Sequence, residues 1–421
     1  MTVTTAVPPR RLRASAGPAL LGPLVCLQAA AAALACGYAA GGTAGLGAGA
    51  VPAAGLAVLG VVRPGGRSLL ERAGASRRLR RRRRQAALAA GAAADGSPAD
   101  PLATLAQECV PGLRTGTVAG RDGREAGVAA DGGGLTVVLR VDTAPSRTSP
   151  LRQPPGHGGL PLRLLREALE TDGIVLESVR CVQFAQPAPT PLLPARSVAS
   201  VNYAALSGAG GPPALRLTWV ALRLDPELCP AAVAERGGGE TGARRCLLRA
   251  GAQLASRLAG AGVAARLLTE AELLASVAAA AGADPAVTAR LAREPGPAPL
   301  RTEETARAWR CDDRWQTTFR VARWPALGDP AGQGAPLAAV ASLLTAVPGF
   351  ATAFGLTLRR HGRGDVALTG HLRVAGRGER ELRQVSRAVT STARGAGVAL
   401  ARMDREQVPG LLATLPVGAD R

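Results

Sequence analysis

The sequence predicts a membrane protein in two parts: a two-helix transmembrane hairpin near the N-terminus, followed by a cytoplasmic α/β domain of mixed α+β type. Two observations support this division. Residues 14–62 are 49 consecutive residues without a charged side chain, whereas residues 135–421 alternate strand-like runs with amphipathic helical stretches. A membrane-spanning helix needs about 20 apolar residues, so the uncharged segment is too long for one span and suits two.

A glycine-rich stretch divides the uncharged segment. Residues 41–47 read Gly-Gly-Thr-Ala-Gly-Leu-Gly, a composition that is poor in helices and common in turns. We therefore predict transmembrane helices over residues 18–40 and 48–62, joined by an extracytoplasmic turn over residues 41–47. The same composition leaves two alternatives open, a signal peptide cleaved near Cys36 and a buried helix of a soluble protein.

Arginines flank both predicted spans and indicate their orientation. Residues 1–84 carry 13 arginines and one acidic residue, against 38 and 30 in residues 85–421. Arginine-rich flanks stay in the cytoplasm, so residues 1–17 and everything after the second span are predicted to be cytoplasmic, in a multi-pass protein of the inner (cytoplasmic) membrane. The densest run is predicted to contact anionic lipid headgroups: Arg77, Arg78, Arg80, Arg81, Arg82, Arg83 and Arg84.

The composition argues against several other classes of partner. The net charge is +20, but every basic residue is arginine, which is typical of a GC-rich genome and overstates affinity for nucleic acid. Aromatic residues make up 2% of the chain, too few for the stacking platforms that hold single strands. The seven cysteines are scattered, without the spacing of a zinc site or a disulfide framework. We expect no nucleic acid, no metal and no cofactor.

Residues 63–134 are predicted to be an arginine-rich juxtamembrane segment followed by a linker. Regular structure is predicted from residue 135 onwards. The period-two alternation of residues 215–224 predicts a half-buried strand. Thr269, three residues before Glu272, predicts a capping box at the start of a helix.

An internal echo suggests a repeated architecture. The sequence Ala-Gly-Val-Ala occurs at residues 261–264 and 396–399, each time after a predicted long helix and before a predicted strand. This pattern predicts two related modules, residues 135–292 and 301–421. The joint of helix, glycine and strand is common, so convergence also explains the echo.

The residues that enzymes need are missing or misplaced. Residues 237–242 have glycines at phosphate-loop spacing, but Arg244 stands near the place of the required lysine and hydroxyl residue. His361 and His371 fall on neighbouring predicted strands and have no third metal ligand nearby. We therefore predict that the protein is not an enzyme.

One block combines tryptophan with arginine. Three of the four tryptophans fall within residues 309–324. Tryptophan and arginine are the usual anchors of protein–protein contacts, so we predict a partner docking surface. Its residues are Trp309, Arg310, Arg314 and Trp315. The alternative is a packed core capped by arginine–tryptophan stacking.

Three sequence blocks resemble one protein family. Residues 217–230 (LTWVALRLDPELCP), 302–313 (TEETARAWRCDD) and 400–410 (LARMDREQVPG) together resemble EccE, a membrane component of the actinobacterial type VII secretion system. The resemblance implies a structural subunit that supports assembly or stability of the inner-membrane export complex, alongside EccB, EccC and EccD. It implies no catalytic residues, because the motor ATPase of that complex is a different subunit.

Two other functional classes remain as alternatives. A membrane-tethered cytoplasmic enzyme of unknown reaction would bind a nucleotide or another substrate through residues 85–421. A membrane-anchored regulator would bind DNA with a steep dependence on salt.

Overall fold

The computed structural model describes residues 12–14, 21–61, 69–93, 100–120, 123–142, 160–187, 197–198, 215–294, 299–325, 337–362 and 365–418. The chain divides into two compact units. One unit is Ser15–Ala89, and the other combines Met1–Ala14 with Ala90–Arg421.

The first unit begins with helix α1, Leu21–Val61, which is kinked at its middle. Gly41 and Gly42 leave helical geometry, and Gly42 has φ +57° and ψ −134°, which strongly favours glycine. The kink separates a first arm, residues 21–40, from a second arm, residues 43–61. At 1.5 Å per residue each arm is about 30 Å long. The predicted break is present, but the predicted turn is too long, because residues 43–47 are helical.

Small residues hold the two arms together. A Cβ on Gly45 would lie 2.0 Å from the carbonyl oxygen of Gly37, and a Cβ on Gly49 would lie 2.7 Å from that of Ala33. Cys26 is also buried on the first arm. Such a close approach of two backbones is possible only between residues with little or no side chain.

The larger side chains of α1 point away from this contact. Exposed residues are Val25, Leu27, Leu34, Tyr38, Val51 and Val58. By length and apolar composition, Val25–Gly45 could cross a membrane, and Gly47–Val58 is a shorter apolar helical stretch. Small residues inside and large apolar residues outside are typical of helices that pack within lipid. The outer ends of the predicted spans, residues 18–20 and 62, lie outside the described residues.

Helix α2, Leu69–Ala93, follows and contains the whole arginine run. The predicted juxtamembrane segment is therefore helical over these residues.

The second unit contains every strand of the described residues. They are β1 Leu12–Ala14, β2 Arg114–Ala119, β3 Glu125–Ala130, β4 Leu135–Asp142, β5 Glu170–Thr171, β6 Ile174–Val175, β7 Ser178–Gln186, β8 Leu215–Leu224, β9 Ala264–Leu267, β10 Thr302–Glu304, β11 Trp309–Cys311, β12 Arg314–Arg323, β13 Ala351–His361, β14 Asp365–Gly376 and β15 Ala399–Arg402. Its helices are α3 Pro101–Cys109, α4 Leu162–Glu167, α5 Pro230–Glu235, α6 Gly239–Gly260, α7 Glu270–Ala281, α8 Pro285–Arg293, α9 Leu337–Thr345, α10 Glu379–Gly395 and α11 Gln407–Leu412.

A large antiparallel sheet dominates this unit. Its order is β10-β11-β12-β14-β13-β7-β8-β4-β3-β2, and β9 and β15 add to β4 and β12. Among the described strands, only β1 pairs in parallel. Its partner is β14 at Val366–Leu368, residues that do not pair with β12. The prediction of a mixed α/β domain is confirmed. The prediction of a linker up to residue 134 is wrong, because α3, β2 and β3 lie within it.

The two predicted modules repeat the same order of elements within one sheet. In the first, β4, β7, β8, α6, β9 and α7 follow one another, and in the second, β12, β13, β14, α10, β15 and α11 do so. The two sets meet where β7 pairs antiparallel with β13, with Val182 opposite Gly355. They are halves of one compact unit, not separate domains.

Helices cover both faces of the sheet. On one face α4, α5, α6, α9 and α10 pack over a core that includes Leu139, Leu222 and Leu254. On the other face α3, α7 and α11 pack over a second core that includes Trp219 and Leu273. Strand β8 was predicted to be half-buried, but it is buried on both faces over most of its length, because helices lie above and below it.

The predicted capping box is present at the start of α7. The Thr269 hydroxyl accepts from the Glu272 backbone N–H, and the Glu272 carboxylate accepts from the Thr269 N–H. Arg266 donates two further hydrogen bonds, of 2.7 and 2.8 Å, to Glu272. These bonds with Arg266, and then the cap, lower the pKa of Glu272 to about 2.

The contact between the arms of α1 gives a matched pair of substitutions. Gly45→Ala places a methyl group against the backbone of Gly37 and should lower the melting temperature of the hairpin in detergent micelles. Gly47→Ala is the control, because no atom lies within 4 Å of its added Cβ. Equal melting temperatures for the two variants would contradict the close packing of the two arms of α1.

Candidate functional site

A buried ion pair fixes the turn between β11 and β12, in the middle of the predicted docking block. Asp312 has φ +50° at this turn. Arg301 donates to its carboxylate at 2.8 and 3.0 Å, and the backbone N–H of Asp284 donates at 2.7 Å. Burial works against the charge of Arg301, but the contacts with Asp312 outweigh it and raise the pKa of Arg301. The hydrogen bonds of Asp312 with Arg301 and Asp284 hold the hairpin in place.

Two of the four predicted docking residues lie inside the protein. Trp309 is 3% exposed and belongs to the core with α3, α7 and α11. Arg314 is 6% exposed, with its guanidinium carbon 4.2 Å from the ring centroid of Phe350. It also forms salt bridges with Asp313 and, at 3.8 Å, with Asp284. Neither side chain is available to a partner.

The other two docking residues form an outward-facing group. Glu303, Arg310 and Trp315 lie opposite one another on β10, β11 and β12. Arg310 forms a 3.3 Å salt bridge with Glu303, and its guanidinium carbon lies 6.0 Å from the ring centroid of Trp315. We call these three residues the outer ladder.

Strand alternation explains why the predicted surface is divided. Successive side chains of a strand point to opposite faces of the sheet, so Trp309 and Arg310 face opposite ways. Arg310 is directly opposite Trp315, and Trp309 is opposite Gln316. The sequence block therefore contributes one buried tryptophan, Trp309, and one partly exposed tryptophan, Trp315, which packs at the margin of the core on the other face.

The histidines and the glycine stretch singled out in the sequence lie in separate parts of the sheet unit. His371 lies opposite Gly355 and His361 opposite Asp365, so the histidines are separated by six positions of the ladder, about 20 Å. Among the described residues, no group of three or more His, Cys, Asp or Glu side chains could hold a metal ion. The glycines 237–239 have positive φ angles and open helix α6.

Sequence reasoning missed three arginines buried in the sheet. Arg180 donates to the carbonyl oxygens of Leu412, Leu415 and Gly418 at 2.7–3.3 Å and so holds the C-terminal segment. Arg223 binds Asp131 at 2.7 and 2.8 Å and Glu177 at 2.6 Å. No local signal marks these residues, since their partners are between 46 and 238 positions away.

Arg373 is the third buried arginine. It donates to the Thr414 hydroxyl at 2.8 Å, to the Gln316 side-chain oxygen and to the Ala280 carbonyl oxygen. All three acceptors are neutral, and burial lowers the pKa of Arg373 to about 10.

The arginines of α2 form the most strongly charged surface of the first unit. The seven arginines between residues 77 and 84 lie on consecutive turns of one helix, and all of them except Arg82 are exposed. At 100° per residue the run covers most of the circumference of the helix, and the remaining face carries the buried Ala75 and Leu79.

One stretch of the sheet unit matches a known protein family. Residues 212–321 match a family whose description reads "Putative type VII ESX secretion system translocon, EccE". The resemblance to EccE is confirmed. No curated protein matches the chain.

The EccE match covers a defined part of the sheet unit. It begins just before β8 and ends within β12, so it contains the outer ladder and the buried pair of Arg301 with Asp312. Residues 400–410 and the α1 hairpin lie outside the match. The printed description names that family as a putative translocon component of a type VII ESX secretion system.

Alanine substitutions distinguish the two tryptophans by their burial. Trp309→Ala leaves a cavity in the core and should cost about 3–5 kcal/mol of folding stability. Trp315→Ala removes a half-exposed ring and should cost clearly less. Thermal or denaturant unfolding of the full chain measures both. A larger loss for Trp315→Ala would contradict this assignment of core and surface.

Proposed function

We propose that this protein is a structural subunit of the inner-membrane type VII secretion complex and supports its assembly or stability. The EccE match supports this proposal, because the matched family is described as a putative translocon component of a type VII secretion system. The specific partners we propose are EccB, EccC and EccD. We further propose that the subunit has no enzymatic activity of its own and binds no nucleic acid.

We propose that α1 inserts as two transmembrane helices with both ends in the cytoplasm. The length of each arm and the outward apolar side chains support insertion. The pairing of strand β1 supports an even number of membrane crossings by α1. This strand precedes α1 in the chain yet pairs with β14 of the sheet that follows α1. Segments that share one sheet lie on the same side of a membrane.

The arginines of α2 suit a cytoplasmic membrane surface. Each arginine near anionic lipid is worth about 1 kcal/mol, so a run of seven attracts headgroups strongly. Six of the seven arginines are exposed, so several side chains of the run are available to headgroups at once. We propose that Arg77, Arg78 and Arg80–Arg84 contact anionic headgroups and keep this end of the hairpin inside.

The outer ladder is the proposed docking surface for another subunit. It lies within the residues that match EccE, and it combines a half-exposed tryptophan with a salt-bridged arginine. Trp315 and Arg310 are the residue types that dominate binding energy at protein interfaces. The buried Arg301–Asp312 pair preorganises the hairpin that presents them, which lowers the entropy lost on binding.

Reporter fusions test the membrane topology. A fusion after residue 45 should give a periplasmic signal, and one after residue 90 a cytoplasmic signal. Replacing all seven arginines of the run with glutamine should weaken the cytoplasmic signal at residue 90, because it removes the positive charge that holds this end inside. It should also reduce binding to vesicles that contain anionic lipid. A periplasmic signal at residue 90 in the unsubstituted chain would refute the hairpin.

Co-purification tests the secretion role and the docking surface together. A tagged chain, extracted gently from membranes, should bring EccB, EccC and EccD with it. Trp315→Ala should weaken this association about thirtyfold or more, the equivalent of a 2 kcal/mol hot spot, while the chain stays in the membrane.

Leu343→Ala is the matched control for this experiment, because Leu343 is exposed on α9 and is not part of the outer ladder. It should leave the complex intact. Absence of all three subunits from the unsubstituted preparation would refute the secretion role. Normal recovery with Trp315→Ala would refute only the outer ladder as the docking surface.

A further inference from the structure

Three polar side chains lie next to one another on one face of the large sheet. Gln183 of β7 is directly opposite Thr218 of β8, and Arg216 lies two positions before Thr218. Residues two apart on a strand share a face, and so do directly opposed residues, so all three point to the same side of the sheet. Val220 and Leu222 continue this face and belong to the core that α6 covers. We call Gln183, Arg216 and Thr218 the polar trio.

Each member of the polar trio has a buried polar atom without a hydrogen-bond partner among the described residues. These atoms are Oε1 of Gln183, Nε of Arg216 and Oγ1 of Thr218. Thr218 is only 4% exposed. A buried polar atom that makes no hydrogen bond costs folding free energy, so three of them at adjacent positions call for an explanation.

Arg216 also lacks an acidic partner. Among the described residues it forms no salt bridge, and burial lowers the pKa of its guanidinium with no carboxylate to oppose the shift. Arg223, further along the same strand, differs in this respect, because it binds Asp131 at 2.7 and 2.8 Å. Strand β8 therefore neutralises its arginine at one end and leaves the charge at the other end uncompensated.

The two neighbouring strands place no acidic side chain beside the polar trio. On one side, β4 places Val141 opposite Thr218. The next residue, Asp142, faces the opposite side of the sheet, where it forms a 3.4 Å salt bridge with Arg140. On the other side, β13 places Phe354 opposite the glutamine of the trio.

The sequence of the adjoining segments is also free of acidic residues. Residues 178–224, which include β7, β8 and their connection, contain four arginines and no aspartate or glutamate. Residues 143–166, which follow β4, likewise contain four arginines and no acid. A negative charge that pairs with Arg216 therefore comes from outside these segments.

We propose that the polar trio binds a carboxylate group, carried by an acidic segment of another protein or by a small organic acid. Directly opposed side chains have Cβ atoms about 5 Å apart, so one ligand group can reach all three residues. The Arg216 guanidinium and the Thr218 hydroxyl donate to the carboxylate oxygens. The Gln183 oxygen accepts from an N–H or O–H next to the carboxylate, such as the backbone N–H of an acidic residue.

A carboxylate suits the polar trio better than a phosphate does. The trio has one positive charge, which a carboxylate matches, whereas a phosphate monoester carries about −1.5 to −2 at neutral pH. The excess negative charge would lie in a partly buried site without a partner, which is unfavourable. It would also lie close to the Gln183 oxygen, which is itself an acceptor. The proposal does not depend on the secretion role.

Thermal melting of the full-length chain in detergent micelles tests the site. The probes are N-acetylglycine, propionate and inorganic phosphate as sodium salts, each compared with sodium chloride at equal ionic strength. A ligand that binds only the folded chain raises the melting temperature as its concentration rises. N-acetylglycine should give the largest shift, because it carries an N–H next to its carboxylate. Propionate should give a smaller shift, and phosphate should not exceed chloride.

A charge-removing substitution tests the role of the arginine. Arg216→Gln should lose the shift with N-acetylglycine. Arg290→Gln is the matched control, because it makes the same change in net charge at an exposed arginine on α8, outside the polar trio. It should keep the shift of the unsubstituted chain.

A second pair of variants separates a ligand site from a structural hydroxyl. Thr218→Val keeps the shape of the side chain and removes the unsatisfied hydroxyl, so it should raise the melting temperature without ligand and reduce the shift with N-acetylglycine. Thr352→Val is the control on β13, because the Thr352 hydroxyl donates to the Thr345 carbonyl oxygen at 3.0 Å. It should lower the melting temperature and keep the shift.

A peptide comparison distinguishes the two sources of the carboxylate. The capped peptide Gly-Gly-Glu-Gly-Gly is compared with its glutamine counterpart and with N-acetylglycine. Tighter binding of the glutamate peptide than of N-acetylglycine supports a protein segment as the source. Tighter binding of N-acetylglycine supports a small organic acid, and either result supports the carboxylate site.

Four results would overturn the proposal. The first is a melting temperature that carboxylates raise no more than chloride does. The second is an equal loss of the shift in Arg216→Gln and Arg290→Gln, which would assign it to general charge. The third is a larger shift with phosphate than with N-acetylglycine. The fourth is a lower melting temperature of Thr218→Val without ligand, which would show that the hydroxyl has a structural partner.

Discussion

The pairing of β7 with β13 is the contact on which the rest of the sheet unit depends. It joins two halves that each arrange three long strands, a long helix, a short strand and a second helix in the same order. Seven residue pairs form this junction, and Gly355 stands at its middle. A Cβ at Gly355 would lie 2.2 Å from the carbonyl oxygen of Ala413, so the C-terminal segment packs directly on the junction. Arg180, one strand away, holds the same segment through three carbonyl oxygens.

The two units of the chain pack by opposite rules. In the α1 hairpin, glycine and alanine form the contact and valine, leucine and tyrosine face outward. In the sheet unit, leucine, valine and phenylalanine fill the two cores. This difference follows from the solvent. Burying a large apolar side chain is favourable in water, whereas in lipid the side chain is already in apolar surroundings and gains nothing from burial. The proposed membrane insertion of the hairpin thus agrees with its internal packing as well as with its composition.

Arginine is the only basic residue of this chain, and the structure uses it in several distinct environments. Arg301 and Arg223 are buried beside carboxylates, where removal of one partner would leave an uncompensated charge. Arg373 is buried among neutral acceptors, and its planar group satisfies three of them at once. The run in α2 is exposed except for Arg82. The net charge of the chain therefore says little about any single surface, and the outer ladder carries a balanced Glu303–Arg310 pair.

The sequence by itself determined the elements whose signal is local. Strand β8 and the Thr269–Glu272 cap lie at their predicted places, because periodicity and capping act over a few residues. It also carried the resemblance to EccE, which the family match over residues 212–321 confirms. Tertiary structure decided the rest. Alanine- and glycine-rich residues 100–133 resemble a linker, yet they form α3, β2 and β3, because pairing with β4 and packing against α7 supply what local propensity lacks. The two tryptophans of one block were equivalent in the sequence, and only the direction of each strand position made Trp309 part of the core and Trp315 part of the surface.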